Sequence, residues 1–161
     1  MISIFFGVGL LRPAPGTWAS ALAVVLGLLI YRAGHVPLLA LATLIAAAAG
    51  FWACAHQLQG RPGEDPSEIV IDEVAGQWLT LCFPAAAFWG VGLPSTEFPW
   101  PAWVAAFILF RLFDIWKPWV IGRADRRGNA RAVMIDDLLA GLFAGLGVMV
   151  LGALYHIVLF A

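Results

Sequence analysis

The chain is poor in charge. Only 12% of its 161 residues are Asp, Glu, Lys or Arg and 62% are hydrophobic, against about 25% charged and about 45–50% apolar in ordinary soluble domains. That balance excludes a soluble globular domain and points to a membrane protein. Cysteine is equally scarce. Cys54 and Cys82 stand alone in apolar runs with no Cys-x-x-Cys spacing, which argues against a zinc site or a thiol nucleophile and leaves them packed or lipid-facing. The three histidines, His35, His56 and His156, lie in unrelated contexts away from the acidic clusters, so a histidine-dependent mechanism has no support. G-x-S-x-G, D-x-D and Walker patterns are missing, as are internal repeats and low-complexity tails. A net charge of −1 by itself argues neither for nor against nucleic acid, and no nucleic-acid partner is expected. The opening MISIFFGVGL lacks a basic start and a following cleavage pattern, so no removable signal peptide is expected.

What is present is long and apolar. Stretches of near-spanning length fall at 18–33, 36–56, 69–93, 101–116 and 138–160, separated by Pro/Gly or charged segments. The expected architecture is an all-α, polytopic membrane bundle of about five transmembrane helices, forming one domain over residues 1–161. The fourth stretch is short for a bilayer and ends in charge, so it must tilt, thin the bilayer or pack inside the bundle. Five spans place 7–17, 57–73 and 111–137 on one face. That face holds Arg12, Arg61, Arg111, Lys117, Arg123, Arg126, Arg127 and Arg131, while the other holds only Arg32. The positive-inside tendency makes it cytoplasmic, and every acidic residue except Glu97 shares it. Trp100, Trp103, Trp116 and Trp119 read as anchors at the headgroup level. Gly141 and Gly145 read as a close-packing pair, and the basic run 123–132 as a solvated face that gains about 1 kcal/mol per cation near anionic lipid.

Four segments carry the polar chemistry. In GVGLLRPAPGTWAS, residues 7–20, Pro13 and Pro15 stop any earlier helix, Gly16 permits an unusual turn, and Thr17 occupies an N-cap position. Backbone N–H groups at such a start favour an anion, so Thr17 reads either as a plain cap or as a ligand contact. In EDPSEIVIDEVAG, residues 64–76, Asp65, Pro66 and Glu68 fit a cap, a first helical proline and a capping box. Asp72 and Glu73 come a turn or two later among apolar neighbours, where ionisable groups cost about 2.5–3.5 kcal/mol at mid-bilayer and need a compensating cation or water.

In FRLFDIWKPW, residues 110–119, the i, i+3, i+6 spacing of Arg111, Asp114 and Lys117 makes one polar stripe. Two readings stand: a functional stripe, or an Arg111–Asp114 pair that makes each tolerable near lipid with Lys117 snorkelling. Finally, Asp136 and Asp137 in MIDDLLAG open the last stretch at a helix N-terminus, worth about 0.3–1 kcal/mol of dipole stabilisation. Together with Asp72 and Glu73 they form four carboxylates on one face. Hard oxygen ligands without His or Cys select Mg²⁺ or Mn²⁺ over zinc. A metal-bridged phosphate, with Arg111, Lys117 and the 7–17 loop as anion holders, then suggests phosphoryl chemistry on a lipid headgroup.

The same residues resemble a family. G-x-G-L-x-x-x-x-P-G-T over residues 7–17, D-E-x-x-G over 72–76, F-R-x-x-D-x-x-K-P-W over 110–119 and M-I-D-D-x-x-A-G over 134–141 look like phosphatidylglycerophosphatase A, a bacterial inner-membrane phosphatase, across nearly the whole chain. The resemblance implies Mg²⁺-dependent hydrolysis of phosphatidylglycerophosphate to phosphatidylglycerol and inorganic phosphate, at the cytoplasmic face of a multi-pass protein. It implies catalytic roles for Asp72, Glu73, Asp114, Asp136 and Asp137, metal binding by Asp72, Glu73, Asp136 and Asp137, and phosphate binding by Gly16, Thr17, Arg111 and Lys117. Gly76 belongs to the matched motif. Where the family often reads P-G-T-x-G-S, this chain has Ala19 for the second glycine. Two alternatives remain: a phosphatidyl-group transferase, whose long D-G-x-x-A-R-type signature is absent, and a small ion-coupled transporter, which would place ionisable groups near mid-bilayer in repeated halves.

Overall fold

The computed structural model describes residues 5–57, 69–97, 99–126 and 130–160. Among these the protein is all-helical. A 3₁₀ turn at Phe5–Leu10 leads into α1 (Pro15–Gln57), followed by α2 (Ile71–Gly90), α3 (Trp100–Trp116), the short α4 (Trp119–Asp125) and α5 (Ala130–Phe160). Helix α1 is broken in the middle, at Gly34 (φ −156°, ψ 25°) and His35 (φ 52°, ψ −153°). Pro37 explains the break: it cannot donate to the carbonyl of Ala33 and its ring would clash there. Two helical halves result, matching the apolar stretches at 18–33 and 36–56. Ser95 Oγ donates to the Arg32 carbonyl at 3.3 Å, so the break and the α2–α3 turn share one end of the bundle.

Among the described residues, two helices are long and apolar enough to cross a membrane, over Pro15–His56 and Arg131–Val158, each containing an 18-residue window of mean hydropathy 2.1. Only 33% and 28% of those windows are buried within the protein. Most of their apolar surface therefore faces outward, unlike the core helix of a soluble domain, and needs an apolar cover.

Inside, α2 is the central element. Trp78 Nε1 donates to the Ala23 carbonyl at 2.8 Å and ties α2 to α1. On its other side α2 meets α5 where two glycines face each other: a Cβ on Gly141 would strike the Gly76 carbonyl, and one on Gly76 would lie 2.6 Å from the Asp137 carbonyl oxygen. Thr80 Oγ1 bridges this contact, 3.0 Å from the Gly76 carbonyl and 3.1 Å from that of Gly141. Gly145 meets the Phe83 ring, so the expected close-packing pair does pack. Phe110, Ile121, Ala140 and Ala144 form a smaller core joining α3 and α4 to α5.

Several local expectations change. Trp103 is not an anchor: it is 1% exposed and packs 5.7 Å from the Tyr31 ring, while Trp100, Trp116 and Trp119 are exposed. Helix α1 starts at Pro15, so Thr17 lies inside the first turn with its N–H bonded to the Ala14 carbonyl at 3.0 Å and is not the cap. Helix α2 starts at Ile71, which puts Asp72 and Glu73 in its first turn and not a turn or two within. Helix α5 begins at Ala130, so Asp136 and Asp137 lie well inside it, not at its start. The capping pattern of Asp65, Pro66 and Glu68 falls outside the described residues. Part of the basic run 123–132 is helical as the end of α4. Cys54 is buried, and half-buried Cys82 has its Sγ 3.6 Å from Thr43 Oγ1.

Candidate functional site

The glycine contact between α2 and α5 builds the site. Asp72 stands four residues before Gly76 and Asp137 four before Gly141, so each acid sits one turn above its glycine on the same helix face. Close approach of the backbones at the glycines then brings the acids together. Ligand oxygens of Asp72, Glu73 and Asp137 lie within 4.8 Å of one another, with both aspartates buried and Glu73 half-buried. Asp72 Oδ1 accepts from the Glu73 N–H at 3.1 Å. Glu73 Oε2 and Asp137 Oδ2 are buried without a hydrogen-bond partner. Buried carboxylate oxygens left unsatisfied in one small space are unfavourable unless a cation completes them.

Two cations flank the acids. Arg111 pairs with Asp114 through Nη1 and Oδ2, one turn apart on α3, and the charge of Asp114 acts on both Glu73 and Asp137. Gly16 closes this side: a Cβ there would meet Glu73 Oε1 and lie 3.2 Å from Arg111 Nη1. Its carbonyl accepts from Ser20 Oγ at 2.8 Å, and Ala19 is fully buried in the core. The expected three-residue stripe is divided, however. Pro118 disfavours helix at the preceding residue, and Lys117 adopts a left-handed C-cap conformation (φ 48°, ψ 54°). From there Nζ donates to Asp136 Oδ2 at 2.6 Å and to Asp125 Oδ1 at 2.5 Å. Burial works against the ammonium, but these hydrogen bonds and charges outweigh it and hold the Lys117 pKa above its ordinary value. Lys117 stays cationic and does not snorkel free.

The structure thus brings together Gly16, Asp72, Glu73, Arg111, Asp114 and Asp137 in one set of contacts and Lys117 with Asp136 in another. Asp136 lies outside the group of three acids whose oxygens could share an ion: Lys117 holds its Oδ2, while its Oδ1 is buried without a hydrogen-bond partner. Adjacent residues on a helix project about 100° apart, so Asp136 and Asp137 face different partners. Thr17 is half-buried beside Gly16, with no side-chain hydrogen bond placing it on the acids. Two polar residues escaped the reading of the sequence. Asp125, a lone acid among arginines, caps Lys117. Gln77, one turn below Glu73, is fully buried with both amide atoms unpartnered. An apolar cavity of about 480 Å³, lined by Phe88, Pro101, Val148 and Tyr155 among others, lies on α2, α3 and α5 segments remote from the acids.

Among the described residues, fold and site together define a helical protein organised around a buried acidic centre with Arg111 and Lys117 beside it. The chain belongs to the phosphatidylglycerophosphatase A family, whose model matches residues 1–152, and it is accordingly a phosphatase. It is 33% identical over 145 residues to a phosphatidylglycerophosphatase A of Haemophilus influenzae, covering 89% of this chain and 82% of that protein. It is 31% identical over 160 residues to the Escherichia coli protein of the same name, covering 98% and 81%. A Bacteroides thetaiotaomicron protein named provisionally as a phosphatidylinositol-3-phosphatase is 35% identical over 150 residues, covering 89% and 87%. No solved structure matches the chain.

The fit at Gly16 is testable. Gly16→Val forces a side chain onto Glu73 Oε1 and towards Arg111. Displacing a site group by roughly 1 Å costs about 10²-fold in rate, so phosphate release should fall by about that factor while the protein still inserts. Gly90→Ala, which meets nothing within 4 Å, should leave the rate unchanged; parallel assays of both variants check this.

Proposed function

We propose that this protein is a Mg²⁺-dependent lipid phosphatase that hydrolyses phosphatidylglycerophosphate to phosphatidylglycerol and inorganic phosphate at the cytoplasmic face of the bacterial inner membrane. In this reading the two halves of α1 with α2, α3 and α5 are five membrane-crossing segments, and the site lies at the cation-rich end. The observation that carries the proposal is the meeting of three carboxylates from α2 and α5, the two aspartates buried and Glu73 half-buried, beside Arg111. Family membership supplies the substrate class.

The donor set fits a hard divalent ion. All three groups are carboxylates, and Glu73 and Asp137 each keep one buried oxygen without a partner. Asp72, Glu73 and Asp137 would hold Mg²⁺, which would supply Lewis-acid polarisation of the phosphoryl group there. The remaining work belongs to the chain. Arg111, oriented by Asp114, presents its guanidinium to phosphate oxygens, a geometry suited to two parallel hydrogen bonds. Lys117 adds a compact charge, steadied by Asp136. Gly16 admits the ester close to Glu73 and Arg111, with Thr17 next to it, and the lipid tails remain in the bilayer beside the outward apolar surface.

The test is phosphate release by the purified full chain from phosphatidylglycerophosphate, phosphatidate, lysophosphatidate and phosphatidylinositol 3-phosphate, with Mg²⁺ or with chelator. Release from phosphatidylglycerophosphate above the others, and only with Mg²⁺, is expected. Preference for the inositol lipid would transfer the substrate assignment, metal-independent turnover would remove the ion, and a cytidine nucleotide product or ion flux without phosphate would replace the reading with a transferase or a transporter.

A further inference from the structure

Lys117 is the single lysine of the chain. Its ammonium has three N–H donors, two of which are taken by Asp125 and Asp136. One donor is left for another acceptor. The two carboxylates differ in standing: the Asp136 side chain is 4% exposed within α5, whereas that of Asp125 is 39% exposed and arrives from α4. Its arrival is built into the fold. Pro118 ends α3, and α4 folds back so tightly that a Cβ on Gly122 would lie 2.5 Å from the Lys117 carbonyl oxygen. Ile121 anchors the inner face of α4 in the small core with Phe110 and Ala140, so Asp125 reaches the ammonium from a fixed base. An ion pair this exposed adds little stability. What it does is confine a flexible four-carbon stem to one position.

We infer that Asp125 is a positioning residue for phosphate binding: with Asp136 it fixes the Lys117 ammonium so that the remaining N–H meets an oxygen of the phosphate ester. This rests on the reading that Lys117 contacts the phosphate. Without Asp125 the lysine keeps one tether, and ordering its stem then opposes binding of substrate and transition state alike. Such a loss of uniform binding raises KM and spares kcat.

The experiment uses the full chain carrying Asp125→Asn or Asp125→Glu in lipid–detergent micelles, with two readouts. One is KM and kcat for phosphate release. The other is the rate at which an amine-acetylating reagent modifies Lys117, followed by mass spectrometry with and without inorganic phosphate. Asp125→Asn should raise KM about tenfold with kcat within about twofold, the pattern of lost uniform binding, and should speed acetylation of Lys117. Asp125→Glu should restore both. Unchanged KM and acetylation, or a fall in kcat alone that Glu does not restore, would overturn the inference and leave Asp125 a structural residue. Failure of the underlying reading has its own signature: acetylation speeds up in Asp125→Asn, but inorganic phosphate does not protect Lys117 of the unsubstituted protein and KM does not move.

Discussion

Asp137→Asn is expected to lower phosphate release by about 10³-fold, the scale of several kcal/mol of transition-state stabilisation, while making the metal-free protein more resistant to heat. Asp137 is 3% exposed and shares its surroundings with Asp72 and Glu73. Carboxylates crowded into one buried space repel when ionised, and an amide of the same shape removes one of them. Mg²⁺ should raise the Tm of the unsubstituted protein, because an ion bound only to the native state stabilises it by mass action. That rise should vanish in Asp137→Asn. Asp136→Asn should keep it, because the Asp136 carboxylate lies on Lys117. Thermal scans of the three proteins with Mg²⁺ and with chelator decide the matter; loss of the Mg²⁺ response in Asp136→Asn alone would reverse the assignment of the two aspartates.

The second large effect is expected from a single methyl group. Gly141→Ala places a Cβ against the backbone of Gly76, where the nearest atoms are its carbonyl oxygen, its carbonyl carbon at 3.0 Å and its Cα at 3.1 Å. Backbone cannot rotate aside as a side chain does, so α5 must move off α2. Overpacking of this kind costs about 1–3 kcal/mol. The larger consequence is one turn away, where Asp137 is drawn from Asp72 and Glu73. A displacement near 1 Å corresponds to about 10²-fold in rate, and the Mg²⁺-induced rise in Tm should shrink with it. Gly145→Ala meets only the Phe83 ring, which can turn, and should cost far less; Gly152→Ala meets nothing within 4 Å and should be silent. A ranking of the three by phosphate release that places Gly141→Ala beside Gly152→Ala would remove the glycine contact as the device that assembles the site.

Much of this was legible without coordinates. The apolar stretches foretold the helices, including the break near 33–36, because Pro37 and the preceding Gly34 carry their backbone consequences locally. Ionisable residues in an apolar chain are costly enough to mark the site by themselves, which is why Asp72, Glu73, Arg111, Asp114, Lys117, Asp136 and Asp137 stood out. The division between Asp136 and Asp137 was not legible: the two are identical in type and adjacent, and only the rotation of α5 decides which one faces α2. Trp103 was misread for a related reason, since a tryptophan at a helix end looks the same whether its ring turns to Tyr31 or to lipid. Asp125 was hidden among arginines that suggest a solvated run.

By itself the sequence determined that the chain is helical and apolar, where its helices lie, and which ionisable residues mark the site, since these follow from hydropathy, proline placement and the cost of burying charge near each residue. Tertiary structure alone decided which of those groups meet. Asp72 and Asp137 are brought together by Gly76 and Gly141 through a contact between distant helices, and no local rule specifies how two helices turn and slide until their bare backbones touch.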